Sequence, residues 1–295
     1  MAEPDPIADR KSCAGGSPGS ASRFASVNNL VLRIVSAAVM APLAVLAAYF
    51  GGWVFALFWA AAAIAVLWEW IALVAGPHNR LMFSSCGSAL VAAALLAWRE
   101  RPVVAVFIVG LGAIAATVFA PRAQRVWITA GIGYSGVLLL APMMLRGEDW
   151  LGFVALVLLF AIVWTTDIFG YFAGRAFGGP KLMPSVSPKK TWSGAIAGAL
   201  GAMAVAVVVV NLFGDFNTPA IAGLALVLSV VSQSGDLLES HIKRHFGAKD
   251  ASALIPGHGG VMDRLDGFWA AAFAGCLIGL LRGGFDNAAR GLLVW

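Results

Sequence analysis

Leu151–Gly174, LGFVALVLLFAIVWTTDIFGYFAG, decides the fold class. As a helix it is long enough to cross about 30 Å of hydrocarbon, and Asp167 is its one charged side chain. A helix that is apolar all round offers water no face, so it belongs in a membrane or a large core. Comparable runs at 29–49, 53–75, 83–98, 103–120, 127–145, 151–174, 194–213, 219–237 and 267–284 predict nine transmembrane helices. Composition agrees: 60% of residues are hydrophobic and 12% charged, where an average soluble domain has about 25% charged. The predicted fold is an all-α polytopic membrane protein, one multi-spanning unit rather than separate globular modules.

Outside the spans the chain is short and polar. Residues 1–28 mix Pro, Gly, Ser and Ala without periodicity, too little apolar surface to offset the entropy of ordering, and predict a disordered cytosolic leader. The first apolar run is too long for the core of a cleavable signal peptide and is expected to remain as a span. With the leader inside, the cytosolic side collects Arg10, Lys11, Arg23, Arg80, Arg122, Arg125, Lys181, Lys189, Lys190, Lys243, Arg244, Lys249 and Arg264, against Arg99, Arg101, Arg146, Arg282 and Arg290 outside. That asymmetry sets both long polar loops, 176–193 and 238–266, in the cytosol. It also accounts for the net charge of +5 as a topology signal, so nucleic acid is not an expected partner. Cys13, Cys86 and Cys276 are odd in number and unpatterned, giving neither a disulfide framework nor a zinc site.

Function is concentrated in Ser232–Asp266, SQSGDLLESHIKRHFGAKDASALIPGHGGVMDRLD. Charged groups between apolar helices are costly and mark sites. Asp236 closes a mostly apolar span, and Asp263 and Asp266 stand three apart, on one face of a helix. Three converging carboxylates would suit Mg²⁺, which takes one or two carboxylates and completes its shell with substrate phosphates; the plainer alternative is ion pairing with Lys243, Arg244 or Arg264. Pro256-Gly257-His258-Gly259-Gly260 offers a backbone able to bring N–H groups close to an anion, with His258 either a phosphate donor or a turn residue.

A second constellation lies upstream: Asp167 buried in the sixth span, then Gly174-Arg175, Lys181 and Ser187-Pro188-Lys189-Lys190-Thr191. Lys189, Lys190 and the Ser187 and Thr191 hydroxyls are donors suited to a polyphosphate, although a basic loop can also serve topology and anionic lipid alone. Glu69, between Trp68 and Trp70 near a span end, reads as a carboxylate reaching headgroup water and is left outside the site. Small-residue runs such as Gly194–Gly201 read as close helix packing.

The spacing Ser240-x-Ile242-Lys243-Arg244, Lys249-Asp250, His258-Gly259-Gly260-Val261-x-Asp263-Arg264-Leu265-Asp266 resembles the signature of the phosphatidate cytidylyltransferases, the CDP-diacylglycerol synthases. Gly235-Asp236-Leu237-x-Glu239-Ser240 and Ser187–Thr191 resemble further segments of that family; Ser193 departs from it, standing where Glu is expected before Gly194. The resemblance implies an enzyme joining CTP to phosphatidic acid, giving CDP-diacylglycerol and pyrophosphate with Mg²⁺ and room for a second metal ion. It implies Asp236, Asp263 and Asp266 as metal ligands. Lys243, Arg244 and Arg264 would act with them, and Asp167, Ser187, Lys189, Lys190, Thr191, Lys249, His258, Gly259 and Gly260 would bind substrate. The N-terminal helices of 29–150 then precede a catalytic region over 151–295. The implied setting is the lipid bilayer of the bacterial inner membrane, with a cytosol-facing site and a homodimer.

Two other readings compete. A secondary transporter would also place charge between helices, but here the charge crowds the loops and no inverted pair of interrupted segments is evident. Asp263-x-x-Asp266-Gly267 imitates the opening of the CDP-alcohol phosphotransferase motif, yet Phe268-Trp269-Ala270-Ala271 lacks the Ala-Arg that should follow. A related enzyme using CTP on another lipid phosphate or a polyprenol shares the same loops.

Overall fold

A computed structural model describes residues 36, 38–76, 79–147, 149–255 and 259–295. The predicted leader, the start of the first span and His258 lie outside the described residues. The helices are α1 Ala38–Phe50, then α2 Gly52–Ala75, α3 Arg80–Trp98, α4 Pro102–Phe119, α5 Arg125–Arg146 and α6 Trp150–Phe177. After two short strands, β1 Lys181–Met183 and β2 Ser187–Thr191, follow α7 Trp192–Asn211, α8 Thr218–His245, α9 Met262–Gly283 and a short α10 Ala288–Leu293. Among the described residues eight helices, α2 to α9, are long and apolar enough to cross a membrane, and α1 is the described portion of the first predicted span.

Six of the predicted spans match α2 to α7 to within three residues at either end. The last two do not. α8 runs on to His245 instead of stopping at 237, and α9 begins at Met262 instead of 267, so the predicted loop 238–266 shrinks to 246–261. The added turn of α8 is polar but helical for local reasons. Glu239 and Lys243 pair at i,i+4 with 2.7 Å between Oε2 and Nζ, and Lys243, Arg244 and His245 stand at the C-terminus, where the helix dipole favours cations. Loop 176–193, expected to be irregular, carries the β1–β2 hairpin, with Lys181 opposite Thr191 and Val186 buried at its turn.

One buried apolar cluster runs through the bundle. Phe268 of α9 stacks between Trp59 of α2 (4.9 Å between centroids) and Phe160 of α6 (5.1 Å), and Trp269 stacks on Tyr134 of α5 at 4.3 Å. α6 and α7 pack closely along their length because side chains are missing: a Cβ at Gly194 would lie 2.5 Å from Gly170 O, and one at Gly198 2.7 Å from Thr166 O. The glycine-rich start of α7 is therefore packing, as read from sequence. At the opposite end Arg146 of α5 donates through Nε to Ala48 O at 2.6 Å, tying α5 to the end of α1.

Candidate functional site

The hairpin delivers the first group of polar residues. Thr191 Oγ1 accepts from Gly194 N at 3.2 Å and caps α7. Ser193, the departure from the family pattern, bonds Thr191 Oγ1 at 3.0 Å and donates to Gly178 O, so it ties the start of α7 to the end of α6. With β2 held this way, Lys190 reaches across to α8 and pairs with Asp236. Between these elements lies a cavity of about 510 Å³ whose polar lining includes Asp167, Arg175, Lys181, Lys189, Lys190, Thr191, Gln233 and Asp236. Asp167 is exposed toward this space, not buried as the apolar span around it suggested, because α6 turns that face to the cavity. Ser187 opens β2 opposite Met183 and is not among the lining residues.

The second group is set by the crossing of α8 and α9. A Cβ at Gly235 would lie 2.5 Å from Ala270 Cβ and 2.7 Å from Asp266 O, and one at Gly267 2.7 Å from Ser232 Oγ. These two glycines let the backbones approach, and each carries an aspartate beside it in sequence, Asp236 on α8 and Asp266 on α9. Asp266 lies within electrostatic reach of Asp236, Glu239 and Asp167. Its Oδ1 accepts from Gly267 N at 2.8 Å. Lys243 is buried between Glu239 and Asp263 and pairs with both.

The glycine loop behaves differently from expectation. The Gly260 amide and those of flanking residues Ala251, Val261 and Met262 donate to the protein's own carboxylates. Gly260 N donates to Asp263 Oδ2 at 2.7 Å and Ala251 N to the same oxygen at 3.0 Å; Val261 N and Met262 N donate to Glu69 at 2.8 and 2.7 Å. The Gly260 amide is therefore engaged by a carboxylate of the protein. Gly259, at φ 83°, closes the turn through Ile255 N to Gly259 O, 2.8 Å. Glu69 is fully buried, which overturns its reading as a headgroup-facing residue. Arg244 is exposed and bonds Ala248 O at 3.0 Å, Lys249 is exposed, and Arg264 is exposed within electrostatic reach of Asp167.

The fit to Mg²⁺ follows from these partners. Among the described residues no three Asp, Glu, His or Cys side chains stand together as a ready metal cage, and both oxygens of Asp263 are engaged, Oδ1 by Lys243 and Oδ2 by two amides. Asp266 is different, since no ammonium or guanidinium stands at ion-pair distance from it among the described residues. Asp266 lies within electrostatic reach of three other carboxylates, and Mg²⁺ needs no more than one or two carboxylates when phosphates complete its shell. Asp236, across the Gly235 contact, could join Asp266 as a second ligand, but its Oδ2 pairs with Lys190 and its Oδ1 accepts from Ser240 Oγ at 3.4 Å, so those partners would have to give way. Arg175 and Lys181, named with the upstream constellation, line the cavity, whereas Glu239, Gln233 and Glu69 join the neighbourhood without having been expected there as site residues; the i,i+4 spacing of Glu239 to Lys243 was the clearest signal in the sequence.

Comparison with known proteins identifies the family. Residues 31–280 match the Cytidylyltransferase family. Over 249 residues the chain is 41% identical to a phosphatidate cytidylyltransferase of Brucella abortus, covering 83% of this chain and 92% of that protein, and the same figures hold for its counterpart in Brucella melitensis. A phosphatidate cytidylyltransferase of Haemophilus influenzae is 42% identical over 142 residues, 46% of this chain and 49% of its own. With a match that runs from the first described helix into α9, the chain belongs to the cytidylyltransferase family.

Proposed function

We propose that the protein transfers the cytidylyl group of CTP to phosphatidic acid, giving CDP-diacylglycerol and pyrophosphate in phospholipid biosynthesis. The observation that carries this reading is the cavity between α6, β2 and α8, where Arg175, Lys181, Lys189 and Lys190 face Asp167 and Asp236. The relatives that cover most of the chain carry the name of this reaction. A phosphate oxygen of the lipid attacks the α-phosphorus of CTP, the bond from that phosphorus to the bridging oxygen breaks, and pyrophosphate leaves. Lys189 and Lys190 hold phosphate oxygens, charge-assisted contacts from a rigid hairpin, whose end Thr191 fixes through its bonds to Ser193 and Gly194 N. Lys243, oriented by Glu239 and Asp263, adds positive charge at the α8–α9 crossing. Asp236 and Asp266 would hold Mg²⁺, which supplies neutralisation of charge on the attacking and leaving oxygens. Lys190, paired here with Asp236, would turn to substrate phosphate when Asp236 holds the metal.

The cavity lies at the end of the bundle that carries the lysine-rich loops, and the basic asymmetry supports a cytosolic side for that end, where CTP is made. The bacterial inner membrane and a homodimer belong to the same proposal, supported by the bacterial relatives and by the family resemblance respectively. The test is incubation of purified protein in liposomes with α-labelled CTP and a panel of lipid phosphates. Label should enter a phosphatidic-acid product in the presence of Mg²⁺. Incorporation into another acceptor, such as a polyprenyl phosphate, would replace phosphatidic acid as substrate, and no incorporation into any would overturn the reading.

A further inference from the structure

We propose that Glu69 of α2 is a positioning residue, the internal anion on which the loop after α8 and the first turn of α9 are assembled. The proposal rests on the cytidylyltransferase reading only for its kinetic consequences. Glu69 is 0% exposed, and no cationic group stands at ion-pair distance from it among the described residues. Oε1 accepts from Ser252 Oγ at 2.6 Å and from Val261 N at 2.8 Å, while Oε2 accepts from Met262 N at 2.7 Å. The N-cap residue of α9, Val261, has no capping side chain; the carboxylate of α2 accepts the amides of Val261 and Met262 and meets the positive end of the helix dipole.

The consequence for the site is geometric. Asp263 follows Met262 directly, and its Oδ2 takes Gly260 N and Ala251 N. Two carboxylates thus share one loop, Glu69 holding residues 252, 261 and 262 and Asp263 holding 251 and 260. That division orients Asp263 Oδ1 toward Lys243 and sets the register of Asp266 one turn later. Gly260 is required because a Cβ there would lie 2.7 Å from Glu69 Oε1 and 2.8 Å from Oε2. Fastening α2 to α9 needs no charge, since Trp59 already stacks on Phe268. The ionic fastener stands only at the end where the reacting groups lie, which is what positioning requires.

The experiment uses the full chain in detergent or liposomes. Glu69→Gln keeps the size but replaces one acceptor oxygen with an NH₂ group that cannot receive an amide. Its oligomeric profile and helix content should match wild type, while the peptide over 250–262 exchanges its amide hydrogens about tenfold faster or more and peptides of α6 and α7 do not change. In the CTP and phosphatidic acid assay, kcat should fall by up to about 10²-fold, the scale of a 1 Å misplacement, with KM for CTP changing less than about threefold. Gly260→Ala perturbs the same contact from the other side and should reproduce both effects. Glu69→Asp combined with Gly260→Ala retracts the carboxylate from the added methyl and should be less impaired than the product of the single losses. If Gly260 instead served a phosphate, the pair would be additive, which overturns the proposal. So would unchanged loop exchange in Glu69→Gln, faster exchange with wild-type kcat, or misfolding of Glu69→Gln and Gly260→Ala alike, which would make Glu69 a folding residue. Hydrogen exchange needs no turnover, so a wild-type protein that forms no CDP-diacylglycerol would sink the activity and leave the positioning role to be judged on exchange.

Discussion

Asp236, Asp263 and Asp266 look equivalent as letters, but their partners separate them. Asp236 holds Lys190 and Asp263 holds Lys243, whereas Asp266 has one backbone donor and three carboxylates in its field. Asp266→Asn preserves shape and the Gly267 contact while removing the charge, so protein should fold normally and kcat should fall on the order of 10²-fold, the scale on which a preorganised charged group acts. Chelation of divalent ions should stop wild-type turnover, and added Mg²⁺ should restore it; activity in a chelator would remove the metal from the reaction. The aspartates and lysines were legible because charge in apolar sequence is costly and therefore visible. Glu69 was not, since Trp68-Glu69-Trp70 near a helix end reads identically whether the carboxylate faces headgroups or a loop 183 to 193 residues further along. Only the fold brings that loop to it.

Elements were legible in a similar measure. Helix existence follows from the length of apolar runs, so α2 to α7 emerge nearly as expected. The ends of α8 and α9 did not, because polar helical turns held by an i,i+4 pair, a dipole and a carboxylate from another helix carry no hydropathy signal. The role of Gly235 was equally hidden: its value depends on Ala270 and Asp266 O, which sequence does not place beside it. Gly235→Ala should separate α8 from α9, lower stability by about 1–3 kcal/mol as overpacking does, and reduce turnover further by drawing Asp236 away from Asp266. Gly223→Ala on the same helix meets nothing within 4 Å and should be neutral or slightly stabilising. Thermal unfolding and kcat of the two variants, measured together, decide this; equal behaviour would mean that the α8–α9 approach does not set the site. At the hairpin, Lys190→Ala with a lysine restored at Met183, which is exposed, keeps the loop charge but not its place. Activity should remain low, since a charge-assisted contact is worth roughly 1.5–3 kcal/mol; full activity at subsaturating substrates would reduce Lys190 to a topology signal.

At the scale of the whole molecule the bundle has two chemically different ends. Arg125 opens α5 at the same end where α8 closes, with Trp127 against His245 at 4.9 Å. Lys190 and Asp236 join the hairpin to α8 there, and Glu69 brings in the end of α2. Arg80, Arg122, Arg125, Arg175, Lys181, Lys189, Lys190, Lys243, Arg244, Lys249 and Arg264 therefore share one side, leaving Arg99, Arg101, Arg146, Arg282 and Arg290 for the other. Positive loops stay in the cytosol, so the cavity should open toward CTP, with its lateral walls available to a lipid. Single cysteines test this in a background without Cys13, Cys86 and Cys276. Met183 in the hairpin and Ala253 in the loop before α9 are exposed at the site end, and Asp286, between α9 and α10, is exposed at the other; none has φ in the left-handed region, so each accepts a side chain without backbone strain. In intact bacterial cells an impermeant thiol reagent should label Asp286→Cys and spare Met183→Cys and Ala253→Cys, and inverted vesicles should reverse the pattern. Labelling of Met183→Cys and Ala253→Cys together in sealed cells would turn the whole bundle over. Labelling of one without the other would separate the hairpin from the loop before α9, which the Lys190–Asp236 and Lys243–Asp263 pairs hold at a single end.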